Sequence, residues 1–231
     1  MKIPNQSTDR FDLWTQIINQ TSPKSIAEIG VWKGDFAAAI LTNCPSIEKY
    51  VMIDPWAQLP DWNKPFNVTT KEFKAVYDEA MRKTEFAAEK RHIMRGRTKD
   101  VIEEIDNESL DFVYIDGDHT LRGITIDLIT ILPKIRNGGL IAGDDFTPSP
   151  WQHSAEYEPT LVCPFAVYFA ESMDLPIHAL PHGQFLIEKS KEGFRFDDTT
   201  GKYGDLGLNK FPRKTHSFMK MLKRKLKQLN R

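Results

Sequence analysis

Ser25-Ile-Ala-Glu-Ile-Gly-Val-Trp-Lys-Gly-Asp-Phe-Ala-Ala-Ala-Ile40 is the stretch from which the rest of the chain can be read. A short apolar run containing Glu28 ends at Gly30; Gly34 follows, and then an Ala-rich segment with helical spacing. Strand, glycine turn and helix in that order make a phosphate- or nucleoside-binding corner of an α/β sheet. Gly30 lets the backbone turn sharply, and Gly34 lets a ligand or neighbouring strand come close where a Cβ would clash. The helix that follows points its positive end at the bound group. The turn reads Glu-x-Gly-x-x-x-Gly and lacks the G-x-G-x-x-G of dinucleotide sites.

The same rhythm repeats on both sides of this corner. Thr8 to Gln20 carries Phe11, Trp14, Ile17 and Ile18 at helical spacing, and Thr21-Ser-Pro-Lys24 stops it. Strands are predicted at Tyr50 to Ile53, Arg91 to Arg95, Leu110 to Ile115 and Leu140 to Ala142. Thr69-x-x-Glu72 is a capping box opening a helix through Met81. Thr98 is expected to cap a short helix over 99–105, and Leu121, Ile124, Leu128, Ile131 and Leu132 to face inward from another. Pro133 and Asn137-Gly-Gly139 should end that unit. A helix over 162–172 precedes two strands, 176–180 and 184–188, joined by Pro181-His-Gly183, and 193–203 reads as a further short hairpin. The expected fold is a single α/β domain: a doubly wound, mostly parallel, seven-stranded Rossmann-like sheet with a terminal antiparallel hairpin. Residues 1–24 form an N-terminal helical cover, 25–208 the domain and 209–231 a basic tail.

Composition narrows the class. With 231 residues, 40% hydrophobic, the chain has enough for one sizeable core. No apolar run nears the roughly 18 residues of a membrane span, and no secretion signal is evident. Cys44 and Cys163 make neither a disulfide framework nor a zinc site, so a reducing, cytoplasmic setting is expected. Net charge is −1, yet residues 209–231 hold nine Lys/Arg and no acid. The first 208 residues therefore carry 22 bases against 32 acids, a net of −10. An acidic body of this kind argues against a nucleic-acid partner.

Acids fall where the predicted strands end: Glu28, Asp54, Asp116 and the pair Asp144-Asp145. Carboxylates are poor strand residues and costly in a core, so this series along the ligand edge of the sheet asks for a chemical reason. Here the chain resembles the class I S-adenosylmethionine-dependent methyltransferases over roughly 22–189. Glu28-Ile-Gly30-x-x-x-Gly34 is similar to their glycine motif, Asp54 to the ribose-binding acid after the second strand, and Asn137-Gly-Gly-Leu-Ile-Ala-Gly-Asp-Asp145 to their fifth-strand motif. Ile115-Asp-Gly-Asp-His119 with Asp144-Asp145 resembles the metal-dependent small-molecule and sugar O-methyltransferases of the macrocin type. The acid pair departs from the Asp-Asn of catechol-type members, and His119 stands where those carry lysine.

This resemblance implies a set of roles. Asp54 would hold the ribose, Gly30 and Gly34 the methionine end of the donor, and Glu28 its loop or ammonium group. Arg97 and Thr98 would meet adenine, Trp56 would stack on adenine or serve as a packed lid residue, and Asp116 would also contact the donor. Asp116, Asp144 and Asp145 would ligate a divalent cation; three carboxylates without His or Cys suit a hard ion such as Mg²⁺. Such an ion would stabilise an acceptor alkoxide. His119, then Asp116, then His153 are the candidates for the base that takes the hydroxyl proton.

Two aromatic, Pro-rich loops, 56–66 and 146–157, suit either stacking on a sugar or aromatic acceptor or exclusion of water. In the tail, the spacing of Met219, Leu222, Leu226 and Leu229 would put them on one face if the segment were helical, with basic residues elsewhere. That face fits a membrane surface or acidic partner, or packing on the acidic body or on a second subunit as a homo-oligomer. The competing functions are a nicotinamide-dependent oxidoreductase and a non-catalytic nucleotide-binding protein on the same scaffold.

Overall fold

In the computed structural model, which describes residues 3–4, 6–154 and 156–204, strand β1 (Ser25–Ile29) is buried from its second residue onward. It lies inside an eight-stranded sheet with β2 (Lys49–Asp54), β3 (Arg91–Arg95), β4 (Leu110–Ile115), β5 (Ile135–Gly143), β6 (Pro176–Leu180), β7 (Gln184–Glu188) and β8 (Arg195–Asp198). The spatial order is β3-β2-β1-β4-β5-β7-β6-β8. Strands β1 to β5 are mutually parallel, β7 runs antiparallel to β5 and β6, and β8 is parallel to β6.

Alternation of side chains along the strands divides the core in two. Ile26, Tyr50, Met52, Phe112 and Tyr114 pack with α1 (Arg10–Thr21), α2 (Asp35–Asn43) and α3 (Thr70–Lys83). Ala27, Ile29, Val51, Ile53, Val113 and Ile115 pack on the opposite face, with α5 (Leu121–Ile131) and α6 (Val162–Ser172). Cover on both faces is why these strands are almost unbroken apolar runs. In α1, Asp9 caps the first turn, and Leu13, Trp14, Ile17 and Ile18 are buried. The capping box opening α3 forms as expected, with Thr69 and Glu72 satisfying each other's backbone N–H.

Several expectations are corrected. The sheet has eight strands, not seven: 193–203 forms no hairpin but lays Arg195–Asp198 along the outer edge of β6. The Asp198 carboxylate then accepts the amides of Thr200, Gly201 and Tyr203, which turns the chain away. Asn137-Gly-Gly139 lies inside β5 instead of ending the preceding unit, because Gly138 and Gly139 pair with Lys189 beyond the end of β7. Thr98 does not cap α4 (Thr98–Val101) but is its first residue, with its side chain buried. In α5, Leu121 is 52% exposed, whereas Asp127 is buried alongside Ile124, Leu128 and Ile131.

Strand order reverses between β1 and β4, and a crevice opens at the carboxyl ends of such a pair. Gly30 closes β1 at φ +85°, and a Cβ there would sit 2.2 Å from the Asp116 carbonyl oxygen. Gly34, at φ +73°, precedes α2, but the close neighbour is Ala80 of α3 at 3.1 Å. The space that Gly34 provides is therefore for helix packing, not for a ligand. Among the described residues no helix is long and apolar enough to cross a membrane. The basic tail and its apolar face lie outside the described residues.

Candidate active site

A cavity of about 450 Å³ opens at this edge, and Glu28, Gly30, Asp54, Arg97, Thr98, Asp116, His119, Asp144, Asp145 and His153 all line it. On the β1–β2 side, Asp54 accepts the amides of Val31 and Trp32 on one oxygen, both at 2.9 Å, and that of Trp56 on the other at 2.7 Å. Trp32 and Trp56 sit at φ +52° and +40°, conformations that bulky residues rarely hold unless their surroundings enforce them. The three amide bonds supply that enforcement. Burial nevertheless pushes the Asp54 carboxyl up to about 6, against those amides. Glu28, also buried, accepts the Tyr50 hydroxyl at 2.8 Å, and burial drives its carboxyl well above the usual range. Trp56 is not an adenine platform. Its ring is buried, edge-on to Tyr77, and its indole N–H is given to the Trp32 carbonyl at 2.8 Å.

Between β4 and β5 the charges interlock. Arg10, the first residue of α1, donates from Nη1 to Asp116 at 2.9 Å and to Asp144. Gln184 accepts from the Trp14 indole at 2.7 Å and the Tyr114 hydroxyl at 2.8 Å, and donates to Asp144. His119 pairs through Nδ1 with Asp145, and its Nε2 lies 3.4 Å from Asp116. That Nε2 is buried without a well-formed hydrogen bond, so one polar atom in the cavity lacks a good partner. Burial opposes a charge on His119, but Asp116 and Asp145 outweigh it and raise the imidazole to about 10. The two acids thus favour the protonated ring, the form that donates a proton.

The first aromatic loop roofs the cavity. Trp62 donates to Asp118 at 3.0 Å, Asp61 receives a forked pair from Arg97, Asn63 donates to the backbone of Glu156 in the second loop, and Lys64 to that of Glu158 just past it. Phe146, where that second loop begins, is fully buried in the core.

With this geometry in place, the sequence model of a methyltransferase-domain family matches residues 27–146, from β1 through the acid pair to Phe146. The chain belongs to this methyltransferase family. Solved structures of the same fold include a protein provisionally assigned as a caffeoyl-CoA O-methyltransferase from Staphylococcus aureus, at 15% identity and TM-score 0.58, covering 79% of this chain and 85% of that one. The methyltransferase PaMTH1 of Podospora anserina, bound to SAH, aligns at 18% identity and TM-score 0.54 over 79% of each chain. The O-methyltransferase TomG of Streptomyces achromogenes, in complex with SAM, aligns at 16% and 0.54 over 79% of this chain and 80% of its own. No curated protein matches the chain.

In this methyltransferase the expected cation ligands Asp116, Asp144 and Asp145 come together at the ends of β4 and β5, but cationic side chains engage each of them. Among the described residues no three His, Cys, Asp or Glu side chains form an ion-binding group. Asp116 and Asp144 share the Arg10 guanidinium, and Asp145 is engaged by His119. The residues present thus do not fit a Mg²⁺ centre of the expected kind. Arg10, Lys64, Asp118, Asp127 and Gln184 were not foreseen. Asp127 alone carried a signal, an acid on the apolar stripe of α5. It is buried, and burial raises its carboxyl to about 7.

Proposed function

We propose that the chain transfers the methyl group of S-adenosylmethionine to a hydroxyl oxygen of a small-molecule or sugar acceptor. The observation that supports this reading most is the row of acids at the ends of β2, β4 and β5, Asp54, Asp116 and Asp144, lining one cavity with the left-handed Gly30 turn of β1 between the first two. When bound, the donor supplies an electrophilic methyl group on a sulfonium. Asp54, with lone pairs beyond those given to amides, would receive the ribose hydroxyls. Thr98 and the Arg97 stem would border the adenine, and Glu28 the ammonium end. Volume is adequate, since about 450 Å³ falls within the range of small-molecule sites.

Asp116, a carboxylate at the end of β4 that lines the cavity beside His119, takes the base role. As the acceptor oxygen bonds to carbon and the sulfur–carbon bond breaks, its proton passes to the Asp116 carboxylate and the sulfonium becomes a neutral thioether. His119, paired with Asp145 through Nδ1 and 3.4 Å from Asp116 through Nε2, holds the Asp116 carboxylate in place for that transfer. Lys64, Trp62 and His153 border the remaining space, where a polar, ring-shaped acceptor would stack and hydrogen-bond.

A panel of phenols, catechols and free sugars incubated with methyl-labelled donor tests the reaction. Label in an O-methyl product, with kcat reduced roughly 10²–10⁴-fold by Asp116→Asn, is the expected result. Hydride transfer to a nicotinamide by the same protein would replace this reading with the oxidoreductase one.

A further inference from the structure

We infer that Arg10 occupies, through Nη1, the cation position between Asp116 and Asp144, so that this site excludes a divalent metal ion and carries its own fixed positive charge. The inference rests on the methyltransferase reading of the cavity and concerns what governs it.

The geometry is specific. Nη1 carries two hydrogens and meets one carboxylate with each, Asp116 at the end of β4 and Asp144 just past β5. A divalent ion bridging those strand ends would need the same oxygens and the same space. Arg10 is not a wandering surface side chain. Asp9 caps the turn that it opens, through the Asp12 amide at 2.9 Å. One turn on, fully buried Trp14 is bonded to Gln184, and the same Gln184 side chain donates to Asp144. One glutamine therefore registers α1 against the carboxylate that Arg10 must reach. Trp14 also packs edge-on against Phe112 and Tyr114 of β4, at 5.7 and 5.8 Å, which fixes the helix over the strand that delivers Asp116. Arg10 stands outside the 27–146 segment that defines the family, so the substitution of guanidinium for metal comes from the N-terminal helix.

The chemistry differs from that of a metal centre in a testable way. A guanidinium cannot be chelated or exchanged, keeps its charge across the accessible pH range, and presents planar, directional donors. It leaves the two carboxylates paired, so an incoming cation must displace a tethered group.

Manganese(II) titrated into the full chain and followed by electron paramagnetic resonance tests this directly, with calorimetry of S-adenosylhomocysteine on the same samples. The wild type should leave the free-ion signal unchanged, and Arg10→Gln should bind one ion at least roughly tenfold more tightly. Asp144→Asn in the Arg10→Gln background should abolish that binding. Stoichiometric Mn²⁺ binding by the wild type overturns the inference, whether or not the variant folds. Equal, weak binding by wild type and Arg10→Gln also overturns it, since the guanidinium would then not be what keeps the ion out. Donor-product affinity of the wild type is read separately, so failure of the methyltransferase reading appears as loss of that binding whatever the ion does.

Discussion

At the scale of single residues the site is governed by how each acid is compensated. Asp54 spends its charge on three amides and thereby holds Trp32 and Trp56 in left-handed backbone. Replacing it with alanine leaves those buried donors unmatched, at about 1–3 kcal/mol for each that stays dry. Asp54→Ala should therefore lower the denaturation midpoint as well as ligand affinity; an unchanged midpoint would show that the turn holds itself. His119 gives a sharper prediction. A folded-state value near 10 lies above the usual 6.5, so its ion pairs stabilise the protein fully below about pH 6.5 and that contribution fades as pH rises toward 10. The His119 ring resonance in NMR should stay in its protonated position from pH 6 to 8.5. A transition near 6.5 would restore His119 as the base and displace Asp116 from that role.

At the scale of elements the decisive contact is the β1 turn against the β4 loop. Gly30→Ala forces a Cβ to 2.2 Å from the Asp116 carbonyl at φ +85° and should cost about 2–4 kcal/mol. Gly34→Ala meets Ala80 at 3.1 Å and should cost less. Urea denaturation of both variants checks the order, and a reversed order would mean that the β4 loop yields more readily than α3. Much of this scale was legible in the sequence. Helices α2 and α6, the capping box of α3 and the hairpin of β6 and β7 follow from periodicity and turn chemistry, and the acids that end β1, β2, β4 and β5 were identifiable as lining one edge. The rest depended on pairings that sequence distance hides. Arg10 reaches acids more than a hundred positions away, Lys64 is buried only because the second loop folds over it, and the edge place of β8 is set by β6 needing a partner. Trp56 and Gly34 misled for a related reason: their neighbours Tyr77 and Ala80 come from α3, and no local pattern announces that packing.

At the scale of the whole molecule, several carboxyls are held above their ordinary values by burial, so protons favour the fold. Asp127 is raised from 3.8 to about 7, so the folded state binds the extra proton and stability falls as pH climbs from about 4 to 7. At 1.36 kcal/mol per unit this amounts to roughly 4 kcal/mol, with Asp54 and Asp144, each near 6, acting in the same direction. Asp127→Asn should therefore flatten the pH dependence of the melting temperature and stabilise the protein near pH 8. A variant whose curve keeps the wild-type slope would place that carboxylate in contact with water. The central claim is that the paired strand ends form a nucleoside-binding cavity organised by Asp54. Isothermal titration of the wild type and Asp54→Ala with S-adenosylhomocysteine, and of the wild type with NAD, measures this most directly. The account predicts one site for S-adenosylhomocysteine, weakened roughly tenfold or more by the substitution, and no heat from NAD; binding of NAD alone would contradict it.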